Sequence, residues 1–276
     1  MPTSDSRVWF ITGSSKGLGW EFVDAALKAG ERVVATARDP KSVAPFVEQY
    51  GADQVLALPL DVTKEEEITS AVDKSIETFG RLDIVVNNAG YGLRGAVEEV
   101  TDAQIRRQME TNFFGALAVT RAVLPQLRKQ RSGHIVQIST MGGVLAFARL
   151  GMYHASKWAL EGMTESLAQE IAPFNIKVTI VEPGGFDTYW NNASMEFAET
   201  MPEYDEALGQ VQRGNRPAGD PKKTGAALLE LVNSPNPPLR VLWGNGAYDR
   251  VMATYETRIA GWSEWEPMSR RLDYES

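Results

Sequence analysis

The chain has 276 residues, and its 28 Lys and Arg against 36 Asp and Glu leave a formal net charge of −8, with 43% hydrophobic residues, two histidines and no cysteine. Without cysteine there is no disulfide scaffold, thiolate nucleophile, thiolate zinc site or iron–sulfur cluster, and so few histidines make a metal centre a poor expectation. So acidic a chain lacks the surplus of Lys and Arg by which proteins hold nucleic acid, while its apolar content is that of a globular protein.

The first residues, up to Gly13, lack the charged start, apolar run and small-residue cleavage site of a secretory signal, and no run of about 18 apolar residues marks a membrane span. A cytoplasmic protein with no membrane partner is expected, in which Asn192-Ala193-Ser194 is a chance sequon. Short apolar runs then alternate with longer amphipathic ones. Residues 8–12 read as a buried strand, followed by a glycine-rich turn and a helix over about 17–29. Further strands are expected at 32–36 and 55–58. Thr63-Lys64-Glu65-Glu66 has the pattern of a capping box that starts a helix ending near Phe79. A strand over 82–86 follows, and Thr101-Asp102-Ala103-Gln104 offers the same capping signal for a long helix toward Gln130. Strands at 133–139 and 176–181 flank a helix over about 152–172. From Gly184 to about Asp220 the pattern breaks into a stretch rich in Gly, Asn, Pro and Met, before a helical run at 221–232 and an apolar segment at 239–243.

Alternation of this kind implies βαβ crossovers and a parallel sheet of about seven strands with helices on both faces. A single α/β domain over 1–276 is expected. Residues 184–220 would be its substrate loop or lid, and the Trp-rich 243–276 a C-terminal extension that covers the pocket, another subunit or its own sheet.

Thr12-Gly13-Ser14-Ser15-Lys16-Gly17-Leu18-Gly19 lies between the first strand and the first helix. Glycines there permit a tight turn and close backbone approach, and the helix N-terminus offers free N–H groups and a positive dipole to a pyrophosphate. A turn needed for packing alone would look the same. The second strand ends Thr36-Ala37-Arg38, with no acid at the place where NAD-selective sites hold the ribose hydroxyl. Arg38 can clamp a 2′-phosphate and Lys16 can reach it, which favours NADP(H) over NAD(H). Asp39 follows directly and leaves NAD(H) possible.

The most informative stretch is Tyr153-His154-Ala155-Ser156-Lys157. Positions i and i+4 share a helix face, so phenol and ammonium lie close together. A nearby lysine favours the phenolate, lowering a pKa of roughly 10 toward the range where a tyrosine can exchange a proton with a hydroxyl or carbonyl oxygen. A strand ends at Ser139, whose hydroxyl can polarise a substrate carbonyl. Asn87-Asn88-Ala89-Gly90 and Asp61-Val62 follow other strands at the sheet edge where open α/β proteins bind ligands. Asn112 lies inside the next helix, and Pro183-Gly184, with Thr188 further on, follows the sixth strand.

In this order, these motifs resemble the short-chain dehydrogenase/reductase (SDR) family over about residues 7–190. The resemblance implies a Rossmann-type doubly wound fold. It implies Tyr153 as general acid in carbonyl reduction and base in alcohol oxidation, with Lys157 lowering its pKa and holding the nicotinamide ribose. Ser139 would orient the substrate oxygen, and Asn112 would hold a water that links Lys157 to solvent. Gly13, Ser15, Lys16, Gly17, Leu18 and Gly19 would take the pyrophosphate, and Asp61 with Val62 the adenine. Asn88, Ala89 and Gly90 would take the adenosine side, and Pro183, Gly184 and Thr188 the nicotinamide end. Lys16 and Arg38 stand where similar enzymes carry marks of NADP(H) preference.

The substrate is less legible. Tyr91, Leu93, Met141, Val144, Leu145, Phe147, Phe186, Tyr189 and Trp190 would make an apolar, aromatic pocket for a small hydrophobic carbonyl or alcohol, unless they serve the core. His134 and His154 read as structural or exposed. Similar enzymes pair through the two long helices, so a homodimer or homotetramer is expected. Of the other readings, a cofactor-retaining epimerase or dehydratase would show a different glycine spacing. A cofactor sensor without turnover would be expected to lose Tyr153 or Lys157.

Overall fold

The computed structural model describes residues 6–188, 194–208, 219–244, 246–272 and 274. Seven strands form the main sheet: β1 (Val8–Ile11), β2 (Arg32–Ala37), β3 (Val55–Pro59), β4 (Ile84–Asn87), β6 (Gly133–Ile138), β7 (Ile176–Pro183) and β9 (Arg240–Trp243). Two short strands, β5 (Gly92–Arg94) and β8 (Met195–Phe197), pair with each other apart from it. The order is β3-β2-β1-β4-β6-β7-β9, and every neighbouring pair is parallel.

Side chains alternate across a strand, so β1 feeds two cores at once. Trp9 and Ile11 pack with Phe22, Val23 and Leu27 of α1 (Gly17–Lys28), Phe46 of α2 (Ala44–Tyr50), and Leu228 and Val232 of α8 (Thr224–Asn233). Val8 and Phe10 pack on the opposite face with Ile68 and Val72 of α3 (Glu65–Phe79) and with Val119 and Val123 of α5 (Ala116–Gln130). Leu167 and Ile171 of α6 (Gly151–Ile171) complete that layer. Both faces of the sheet are thus dry, which is why its strands read as continuous apolar runs. The chain winds to one side through β2 and β3 and to the other from β4 onward, and a crevice opens at the carboxyl ends of β1 and β4 where the direction reverses.

Several expectations need correction. The helix expected to run unbroken to Gln130 is α4 (Asp102–Met109), a π-turn over Glu110–Gly115, and then α5. Its capping box is formed by Thr101 and Gln104 as read. The box expected at Thr63 is absent, because Asp61 is the better acceptor: it takes both the Thr63 N–H and hydroxyl at 3.0 and 2.8 Å. Lys64 caps α3 without a side-chain bond, and Glu65, Glu66 and Glu67 face the positive helix end. Within 184–220, Phe186 bridges Gly219, and β8 and α7 (Pro202–Leu208) lie between. Tyr189, Trp190 and Asn192 fall outside the described residues. The C-terminal extension is one long helix, α9 (Ala247–Arg270). Among the described residues no helix is long and apolar enough to cross a membrane, and no cluster of metal-ligating side chains occurs.

Candidate active site

A cleft of about 1090 Å³ opens at the carboxyl edge of the sheet. Its walls include Gly13, Ser15, Lys16, Gly17 and Leu18 from the glycine loop, Arg38, Asp61 and Val62 after β2 and β3, and Asn88, Ala89 and Gly90 after β4. Ser139, Tyr153 and Lys157 lie deeper, and Pro183, Gly184 and Thr188 close the far side. Of the site residues read from the sequence, Gly19 and Asn112 stand just behind this surface.

The glycine loop fits a dinucleotide. Gly13 has φ +69°, and a Cβ there would lie 2.9 Å from the Ala89 Cα. Gly17 has φ +61°, and a Cβ there would lie 3.9 Å from the Thr188 Cβ, an ordinary contact. Lys16 is the extended N-cap of α1 and makes no side-chain cap bond, so the first N–H groups of the helix point into the cleft without an intrahelical partner. The Asn88 amide donates to the carbonyls of Thr12 and Gly13 at 3.0 Å each, and the Thr12 hydroxyl accepts from the backbone of Asn88 and Ala89. It stitches two loops into one rigid cradle.

At the adenosine end, Asp39 is not part of the wall. Its carboxylate caps the next turn by accepting from Lys41 N at 3.0 Å. Desolvation pushes the Asp61 carboxyl up, but the two Thr63 hydrogen bonds and the nearby Arg38 guanidinium prevail and hold it below the ordinary range.

Tyr153 and Lys157 share one face of α6, as their spacing requires. The expected depression of the phenol's pKa is not found. Burial drives it well above its ordinary value, and a hydrogen bond with the Thr140 hydroxyl acts in the opposite sense. The Lys157 ammonium donates to Ile138 O at 2.8 Å, and its pKa is lowered to about 8 by burial, against the pull of Glu161.

Ser139 shares the cleft with Tyr153. Its hydroxyl donates to the buried Glu161 carboxylate, which Arg240 also grips. Arg240 further binds Glu182 at 2.6 Å and Glu165 at 3.0 Å, tying α6, β7 and β9 together behind the site. Burial raises Glu161, and burial together with Glu161 pushes Glu182 up to about 7. The hydroxyl beside Tyr153 is that of Thr140, which also donates to Pro183 O and accepts from Gly142 N, each at 3.3 Å. Sequence reasoning missed Thr140, although two adjacent hydroxyl residues at the end of β6 were a signal that either one might face the cleft. It also missed Glu161, which stands four residues after Lys157 and so on the same helix face.

Asn112 sits in the π-turn, a helix defect often found at functional sites. Its Oδ1 accepts from Tyr91 N at 3.0 Å, and its Nδ2 donates to Tyr91 O at 2.9 Å and Ser156 Oγ at 3.1 Å. Both amide hydrogens are spent on protein, so a water held by this side chain would have to donate to Oδ1. Asn112 Oδ1 and Lys157 Nζ meet over Gly90, 3.1 and 3.6 Å from where its Cβ would be.

Among the expected pocket residues, Tyr91, Met141, Phe147 and Phe186 are on the wall. Leu93, Val144 and Leu145 belong to small cores behind it. His134 is buried in the sheet against Thr179. His154 borders the cleft, stacks edge-on to Phe147 and accepts from Phe147 N through Nδ1.

A family model described as short chain dehydrogenase matches residues 7–199. The chain is 38% identical to oxidoreductase BOA17 of Botryotinia fuckeliana, over 96% of this chain and 98% of that one. It is also 38% identical to a 3-ketodihydrosphingosine reductase of Bacteroides thetaiotaomicron, over 86% and 88%. Among solved structures, a short-chain dehydrogenase from Streptomyces avermitilis superposes with a TM-score of 0.92 at 39% identity, covering 98% of this chain and 100% of that one. ElxO, solved with NADP bound, matches at a TM-score of 0.72 and 25% identity over 86% and 96%. The chain therefore belongs to the short-chain dehydrogenase family and is one of its NAD(P)-dependent oxidoreductases.

Proposed function

We propose that this protein is an NADP(H)-dependent carbonyl reductase in which Tyr153 donates the proton and Thr140 steadies the substrate oxygen. The observation that carries this reading is the hydrogen bond between Tyr153 and Thr140 at the bottom of the cleft, beside Lys157. When bound, the dinucleotide supplies the hydride that the carbonyl carbon receives. This chain's residues do the rest. Burial keeps the phenol in its acid form, the form that can give a proton to an oxygen gaining negative charge. By turning its hydroxyl from Pro183 O, Thr140 offers that oxygen a donor, and the Lys157 ammonium adds positive potential.

Arg38 and Lys16 form the preference for NADP(H). They line the adenosine end, while Asp39, the acid that would favour NAD(H), is occupied in capping a turn. The substrate end, with Tyr91, Met141, Phe147 and Phe186, favours an apolar ketone or aldehyde, and the Bacteroides relative is named for reduction of a ketone. Residues 184–220 act as lid to this wall within one catalytic unit. Pairing of α5 and α6 between copies belongs to the same reading.

The test is a panel of apolar ketones, aldehydes and alcohols followed at 340 nm with each cofactor. Turnover of an apolar carbonyl with NADPH at least about tenfold above NADH supports the reading. Turnover with NADH alone, or none with any carbonyl, removes it.

A further inference from the structure

His154 follows Tyr153 on α6, borders the cleft and is only 4% exposed. Three contacts fix its ring. The Phe147 N–H donates to Nδ1 at 3.3 Å, and the Phe147 ring meets it edge-on with centroids 5.6 Å apart. Gly142 comes so close that a Cβ there would lie 2.6 Å from the His154 Cδ2. Phe147 in turn carries the Arg250 guanidinium, 5.1 Å from its centroid. A neutral imidazole has one acceptor nitrogen and one N–H, and burial holds this ring neutral, with its pKa lowered to about 4. Since Nδ1 is the acceptor, Nε2 bears the hydrogen. That N–H has no acceptor among the described residues, on a side chain that borders the cleft.

We infer that His154 is a substrate-recognition residue: its Nε2–H takes a second oxygen of the substrate, so the preferred carbonyl compounds carry a hydroxyl, carbonyl or ether oxygen a few bonds from the reacting carbon. The inference rests on the reading of Tyr153 as proton donor. The apolar neighbours Met141 and Phe147 on the same wall hold the carbon chain, and a lone fixed donor in such a wall sets its orientation. The rings of Tyr153 and His154 have centroids 5.9 Å apart, so the two oxygens that meet them lie close together on one molecule. A neutral ring brings no charge, which selects an uncharged oxygen over a carboxylate or phosphate. The contacts with Phe147 and Gly142 fix the donor before substrate arrives, so the bond costs little side-chain entropy.

The test compares α-, β- and γ-hydroxy aliphatic ketones, each beside the isostere in which methyl replaces hydroxyl, in steady-state kinetics with NADPH. In the intact enzyme at least one hydroxy ketone should exceed its isostere about tenfold or more in kcat/KM, since a site built around a hydrogen bond rejects the analogue that lacks it. That ratio should fall to near unity in His154→Leu, whatever the absolute rates, and be largely kept in His154→Gln, whose amide N–H reaches where Nε2 stood. A second readout needs no turnover. The chain has only two histidines, so ¹⁵N labelling of imidazole resolves His154. Its Nε2–H signal should move when a hydroxy ketone, but not its isostere, is added with the oxidised cofactor. No turnover of any carbonyl would overturn the proposed function and this inference with it. Turnover in which no pair reaches that ratio, a ratio equal in the intact enzyme and His154→Leu, equal loss in the Leu and Gln variants, or an imidazole signal that stays still would overturn this inference alone.

Discussion

The hydroxyl of Ser139 donates to the carboxylate of Glu161, one helical turn beyond Lys157, while the neighbouring hydroxyl of Thr140 is the one bonded to the Tyr153 phenol. The two adjacent hydroxyls therefore have separate duties. In the proposed reading, Ser139 and Glu161 are positioning residues that fix the end of β6, and Thr140 is the hydroxyl that meets the substrate. Thr140→Val should lower kcat about 10²–10³-fold, as removal of a single oxyanion donor does, with little change in cofactor affinity. Ser139→Ala should cost no more than about tenfold. Steady-state kinetics on both variants decide between them, and the reverse order would return the substrate role to Ser139.

Arg38→Ala should raise the KM for NADPH at least about tenfold, since a charge-assisted phosphate contact is lost, and leave that for NADH nearly unchanged. Equal losses for the two cofactors would mean that Arg38 does not read the 2′-phosphate.

Burial lowers the Lys157 pKa to about 8, so its ammonium is present below that pH and is lost above it. The kcat/KM for carbonyl reduction should accordingly fall as pH rises through about 8. The Glu161 carboxylate raises the same pKa, so Glu161→Gln should move this limb to lower pH, a shift that a purely structural role would not produce. The measurement is a pH profile of both proteins between 6 and 10.

His134 and His154 are both held neutral by burial, with pKa values lowered to about 4. An unfolded chain binds protons at imidazole near 6.5, so the histidines' contribution to stability falls as pH drops from 6.5 toward 4, while the raised carboxyls of Glu182 and Glu161 act in the opposite sense over the same range. For His134, whose charged form is also opposed by Lys177 and Arg7, the loss is on the order of 2–3 kcal/mol. Urea unfolding of the natural chain and of His134→Asn at pH 7 and pH 5 isolates the His134 part: the variant should lose less stability, or gain more, on acidification than the natural chain does, and an equal change in both would contradict it.

The sheet was legible because seven buried runs, two-sided in their apolar character, admit little else than a parallel sheet under helices. The glycine loop, Tyr153 and Lys157 were legible because their spacing fixes their geometry. What escaped depends on contacts far apart in the chain. β5 and β8 have three residues each and pair across about a hundred positions. That Ser139 bonds Glu161 depends on a carboxylate 22 positions on, itself held by Arg240 of β9. The bonds of the Asn88 amide to Thr12 and Gly13 join positions some 75 residues apart. The packing of α9 was masked because Arg258 takes an apolar position by stacking between Trp158 and Tyr255.

The most direct test of the account is Tyr153→Phe, which removes one oxygen and leaves the ring packed. Turnover of a carbonyl substrate should fall at least about 10³-fold, within the range a positioned proton donor contributes, while NADPH binding, read by fluorescence titration, stays within about threefold. A variant that keeps activity within about tenfold of the natural enzyme would contradict it.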